Sequence, residues 1–274
     1  MKSLDLSQIA SLLKGITDQL RAKMPNPAGK SAAELISLVR GVSALADETL
    51  RRSLQALYPD IGWLNAEVDP QEQQAKRQNR YWIYDPIDGA YHFVQGLPMW
   101  SSSLALVHNG ETIRSFVYDP TVGEMFSAGL GEGAFLNGKV LSPVSKSVLS
   151  DAVVATALPP FQNRAAHQHA HTLASLGRIG PKVFVVRMMA AASLQLAYVA
   201  AGRLDAFWEY GSDVDDWLAG ALLVKEAGAK VTNGRGEAFS LEAQGIVAAH
   251  SQLYGAFAHA LGSLGEEQYS PSAV

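Results

Sequence analysis

Apolar residues recur every three or four positions at the start of the chain. Ile9, Leu12, Leu13, Ile16 and Leu20 share one face of a predicted helix. Met24-Pro25-Asn26-Pro27 stops it, because proline has no amide donor and disfavours α conformation in the residue before it. Ser31 followed by Glu34 spells a capping box. It opens a second helix, with an expected apolar face of Leu35, Leu38, Val39, Val42, Leu45, Leu50, Leu54 and Leu57, ended by Tyr58-Pro59-Asp60.

The period then shortens. Tyr81-Trp82-Ile83-Tyr84, Ser103 to Val107 and Thr112 to Tyr118 read as strands. Asn109-Gly110 and Asn137-Gly138 are hairpin signals, since both residue types tolerate positive φ. Asp119-Pro120 with Gly123 adds a turn between them, so this stretch is an antiparallel meander. From Asp151 onward the elements alternate. Ala152 to Thr156, Val183 to Val186 and Ile246 to Ala249 are predicted strands, and helices are predicted over 165–176, 191–201 and 216–227. The expected organisation is an N-terminal α+β half over 1–145 carrying the antiparallel sheet, a C-terminal α/β half over 146–265, and a frayed polar tail over 266–274. The fold class is a layered α/β (α+β) architecture.

Composition narrows the function classes. Apolar residues make up 48% of 274, enough for a substantial core, and no stretch is long enough to span a bilayer. There is no cysteine, which removes disulfides, thiolate metal sites and cysteine nucleophiles. The start, Met1-Lys2-Ser3-Leu4-Asp5, lacks the basic and apolar pattern of a signal peptide, so a cytoplasmic protein is expected. The net charge of −4, with no run of Lys or Arg, argues against nucleic acid and membranes as partners. A phosphorylated substrate would need local attraction, from a metal ion or a helix N-terminus.

Candidate chemistry gathers in two places. Asp85-Pro86-Ile87-Asp88-Gly89 follows the first strand run; two carboxylates around a proline-fixed turn can converge on a hard cation, with the Ile87 carbonyl as a further oxygen ligand. Plain turn chemistry accounts for the same residues, because Asp-Pro and Asp-Gly both favour turns. Far downstream come Glu209, Asp213, Asp215 and Asp216, then Glu226-Ala227-Gly228. Asp213 and Asp215 suit a helix N-terminus, worth about 0.3–1 kcal/mol each.

Together these clusters resemble the inositol monophosphatase family of metal-dependent phosphatases. Trp82 to Gly89 is similar to its first signature, Asp216-Trp217-Leu218-Ala219-Gly220 with Glu226-Ala227-Gly228 to its second, and Gly129 to Gly138 to a hairpin between them. The resemblance spans most of the chain. It implies a layered αβαβα sandwich and Mg²⁺-dependent hydrolysis of a small phosphate monoester through two-metal activation of water. By that resemblance Asp85, Asp88 and Asp216 are magnesium ligands beside the Ile87 carbonyl. Gly89 and Ala90 offer amides to the phosphate, Glu209 holds a substrate hydroxyl, and the protein is a homodimer.

Several positions depart from the family pattern. The segment Trp63-Leu64-Asn65-Ala66-Glu67 places Ala66 where the family has a metal-binding carboxylate, with Glu67 one residue later as a candidate ligand and catalytic group. Ala90 stands where a threonine holds the nucleophilic water, and His92 replaces an asparagine; it is a candidate base or a packing residue. Ala190 and Ala191 occupy a segment that usually reads glycine then serine or threonine, where they remove a hydroxyl and narrow the substrate space. The alternative to a working phosphatase is therefore a catalytically impaired binding or regulatory homologue. A bisphosphatase of the wider superfamily is disfavoured by the short chain and the lack of a basic cluster. His167, His169 and His171 read as a solvated helix face rather than a metal site. Trp63, Trp82, Trp100 and Trp208 read as core or interface residues.

Overall fold

The structure is a computed structural model that describes residues 3–64, 79–144, 146–158 and 166–262. The N-terminal periodicity becomes α1 (Leu6–Arg21) and α2 (Ala32–Leu57), the second opened by the Ser31–Glu34 capping box. A first sheet follows in chain order: β1 (Gly62–Leu64), β2 (Arg80–Asp88), β3 (Ser101–His108), β4 (Glu111–Asp119), β5 (Glu124–Gly129), β6 (Gly133–Leu136) and β7 (Lys139–Val140). β1 pairs with β2 in parallel, and the other neighbours are antiparallel. The short α3 (Ala90–Gln95) links β2 to β3. Asn109, Gly110, Asn137 and Gly138 all have positive φ, as the hairpin reading requires.

The second sheet has the order β11-β12-β10-β8-β9. Its strands are β8 (Val153–Thr156), β9 (Val185–Met188), β10 (Ala206–Glu209), β11 (Lys230–Asn233) and β12 (Ile246–Ala249). Between and after them lie α4 (Ala166–Ile179), α5 (Ala192–Ala200), α6 (Val214–Glu226) and α7 (Ser251–Ala260).

Alternation along the strands builds the layers. Trp82, Tyr84, Leu104 and Leu106 face α1 and α2, while Tyr81, Ile83, Ala105 and Val107 face α5 and α6. In the second sheet Phe207, Ile246 and Ala248 join that same middle core, whereas Ala206, Trp208, Val247 and Ala249 pack towards α4 and α7. Helices, sheet, helices, sheet, helices: this is the expected αβαβα sandwich. No helix among the described residues is long and apolar enough to cross a membrane.

Three local readings need correction. Leu38 and Leu45 are 43% and 55% exposed, so the buried stripe of α2 is Leu35, Ala46, Leu50 and Leu54. Asp85 and Asp88 are not at a strand end and beyond a turn; both lie within β2. Asp213 and Asp215 do stand at the N-terminus of α6, as N-cap and in the first turn, so there the correction is confined to the cap bond, which the Asp213 carboxylate does not make.

Candidate metal and active site

The site begins with an irregularity in β2. Asp85 pairs with Ser103 and Asp88 with Ser101, so three steps on one strand match two on the other. The extra residue is a β-bulge, and in a strand of period two it brings both carboxylates to one face. Pro86 sits in the bulge, where its missing N–H costs no ladder bond. The Ile87 amide donates to Asp85 Oδ1 at 2.9 Å. Ser102 Oγ donates to the Pro86 carbonyl at 2.6 Å, and Thr17 Oγ1 of α1 lies 2.8 Å from Ser102 Oγ. The Ile87 side chain is buried in the core beneath α1 and α2.

Asp216 arrives from the first turn of α6, and ligand oxygens of Asp85, Asp88 and Asp216 all lie within 4.8 Å of one another. Among the described residues this is the one His/Cys/Asp/Glu group able to hold a metal. The donor set is all oxygen, which suits a hard divalent cation. Electrostatics point the same way. Burial pushes the Asp216 carboxyl well up, and the nearby charges of Asp85 and Asp88 push further. Burial raises Asp88 to about 6, against opposing hydrogen bonds from Ser193 and Ala192. A divalent cation would relieve this crowding of negative charge.

Asp88 is also held from the other half of the sequence. The Ser193 amide donates to Oδ2 at 2.7 Å, the Ser193 hydroxyl donates to the same oxygen, and the Ala192 amide donates to Oδ1 at 3.2 Å. These amides open α5, whose N-cap residue, Ala191, makes no side-chain cap bond. Asp88 caps that helix from 105 residues away.

The other predicted residues are placed as follows. Gly89 precedes α3 with φ of 90°; a Cβ there would meet Trp100, Ala191 and the Met99 carbonyl at 3.2–3.3 Å. Ala90 begins α3, where the first amides of a helix have no carbonyl partner within it. His92, on α3, has Nδ1 2.9 Å from the Met99 carbonyl; donation from Nδ1 leaves Nε2 as an acceptor in the neutral ring. Ala191 is buried in a left-handed conformation, φ 64°. Glu209 ends β10 and accepts from Trp217 Nε1 at 2.8 Å; burial pushes its carboxyl up to about 8. Burial also raises Asp215 to about 6, with the Asp213 charge adding to it. Ala66 and Glu67 lie outside the described residues.

Sequence reasoning gave no role to Ser101, Ser102, Ser193 or Trp217. Three consecutive serines within an apolar strand run were a usable signal, since buried hydroxyls need partners. His167, His169 and His171 sit on α4, outside the metal group, and the His171 ring packs against Tyr210. Trp82, Trp100 and Trp208 are buried, while Trp63 is half-buried and donates to Asp47.

Comparison with known proteins agrees with this fold. The model of the inositol monophosphatase family matches residues 6–266. An inositol-1-monophosphatase of Rhizobium meliloti is 36% identical over 208 residues, covering 76% of each chain. A protein named Nus factor SuhB from Pseudomonas aeruginosa is 35% identical over 216 residues, covering 79% of each. Among solved structures, an IMPase from Thermotoga maritima superposes with a TM-score of 0.79 at 25% identity, covering 94% of this chain and 97% of that one.

Proposed function

The chain belongs to the inositol monophosphatase family, and from that premise we propose that it hydrolyses a small phosphate monoester with Mg²⁺ as cofactor. The observation that carries this reading is the convergence of Asp85, Asp88 and Asp216 from β2 and α6. A bound Mg²⁺ would supply Lewis-acid chemistry, polarising the phosphoryl group and making water a stronger nucleophile.

The chain's own residues do the rest. Asp85, Asp88 and Asp216 hold the metal, with the Ile87 carbonyl and Glu67 as further oxygen ligands. Amides of Gly89 and Ala90 orient the phosphate, and the lack of a side chain at Gly89 lets its backbone pack against Trp100, Ala191 and the Met99 carbonyl. Glu209, fixed by Trp217, receives a substrate hydroxyl. His92 presents Nε2 to a proton. The same reading makes the protein a cytoplasmic homodimer whose partner is a small phosphorylated molecule.

The test is phosphate release from a panel of small phosphate monoesters, with Mg²⁺ or with chelator, beside an Asp88→Asn control. Mg²⁺-dependent release that the substitution abolishes supports hydrolysis. A second reading, a binding or regulatory homologue, is favoured by the methyl groups of Ala90 and Ala191 where hydroxyls would position water and substrate. The name Nus factor SuhB among the relatives is compatible with it. Mg²⁺ binding without release from any ester would select it.

A further inference from the structure

An ionised carboxylate offers about four lone-pair directions. On Asp88, Oδ2 accepts from the amide and the hydroxyl of Ser193, Oδ1 accepts from the amide of Ala192, and the Gly89 amide also bonds the carboxylate. Ser193 Oγ also lies 2.9 Å from Ser101 Oγ. Proton counting fixes the direction of this chain. Ser193 has one hydroxyl proton and an ionised Asp88 has none, so Ser193 donates to Asp88 and Ser101 donates to Ser193. Both serines are fully buried, so solvent cannot substitute for either hydroxyl. Both directions on Oδ2 are filled, which leaves Oδ1 to a cation.

We propose that Ser193, backed by Ser101, is a positioning residue that confines Asp88 to single-oxygen coordination and thereby sets a preference for Mg²⁺ over Ca²⁺. The inference rests on the metal-dependent reading above. Mg²⁺ requires near-octahedral coordination, whereas Ca²⁺ accepts more oxygens and readily takes a carboxylate through both. Removing the Ser193 hydroxyl frees a direction on Oδ2 and lets Asp88 offer two oxygens. It also removes the bond that fixes the carboxylate's rotation, and losing a partner that orients a metal ligand typically costs about 10–100-fold in affinity.

Calorimetric titration of Mg²⁺ and Ca²⁺ into the metal-free protein tests this on wild type, Ser193→Ala, Ser193→Thr and Ser101→Ala. Ser193→Ala weakens Mg²⁺ by about tenfold and Ca²⁺ by less, narrowing the ratio of the two dissociation constants. Ser193→Thr keeps the hydroxyl and restores the wild-type ratio. Ser101→Ala, the milder change, narrows the ratio in the same direction. Equal weakening of both ions in both alanine variants, or an unchanged ratio, overturns the proposal. If wild type binds Mg²⁺ and the ratio does not move, only this inference fails. If wild type binds no Mg²⁺, the metal-dependent reading fails with it.

Discussion

Trp217 Nε1 donates to Glu209 Oε2 across 2.8 Å, tying the residue after Asp216 to a carboxyl at the end of β10. Burial nevertheless dominates, and Glu209 keeps its proton up to a pH of about 8. Its folded-state pKa is thus above its ordinary value of 4.5. Such a group contributes stability that is fully present below the unfolded pKa and lost as pH rises through the folded one. The metal-free protein should lose stability between about pH 4.5 and pH 8. Glu209→Gln should flatten that slope, as urea melts in chelator at several pH values would reveal. Equal slopes in both proteins would mean that Glu209 ionises normally.

Gly220 of α6 packs directly on Leu196 of α5. A methyl there would meet Leu196 Cδ1 at 2.7 Å and its Cβ closer still. A Cβ cannot swing away as a long side chain can, so the two helices must part. Gly220→Ala should cost about 1–3 kcal/mol in denaturant midpoints, the usual penalty for overpacking. Because α5 holds Asp88 and α6 carries Asp216, Mg²⁺ affinity should fall as well. A variant as stable as wild type would show that the helix contact is looser than these distances require.

Ala191 holds φ at 64°, a conformation that costs an L-residue about 1–2 kcal/mol. Ala191→Gly removes that strain but adds backbone entropy to the unfolded chain, about 0.5–1 kcal/mol. Thermal melts should therefore find the glycine variant within about 1 kcal/mol of wild type, whereas Ala191→Val should lose about 1–3 kcal/mol or more. Equal tolerance of both would contradict the left-handed backbone.

Ala90 opens α3 two residues after Asp88, with a methyl group where the family has a hydroxyl. If water positioning limits the rate, Ala90→Thr combined with Ala66→Glu should raise turnover by about 10–100-fold and lower the Mg²⁺ requirement. Steady-state kinetics across a Mg²⁺ series would measure both. No gain in either would locate the limitation in substrate binding.

Much of this was legible from local signals. The α1 stripe, the capping box and the two Asn-Gly turns each depend on residues within a few positions of one another. β10, β11 and α3 went unread: they span only four to six residues, and β11 and α3 interleave polar with apolar side chains, unlike the equally short apolar run of β12. Leu38 and Leu45 carried a helical period without burial, since the contact line along the long α2 runs through Leu35, Ala46, Leu50 and Leu54 instead. The aspartates of the site were visible as residue types in suggestive places, but their support was not. Ser193 reaches Asp88 across 105 positions, and only the stacking of α5 against β2 and β3 makes that pair neighbours.

The bulge in β2 makes the site depend on the count of residues as well as their identity. Inserting one residue into β3 between Ser101 and Ser103 would keep every aspartate and bring β2 back to ordinary residue-for-residue pairing. Asp85 and Asp88 would then stand on opposite sides of the sheet, one beneath the N-terminal helices and one towards α5. Tolerance to substitution and tolerance to changes of length therefore part company at this bulge. A graft of this segment into another sheet would have to conserve its odd spacing before it conserved its sequence.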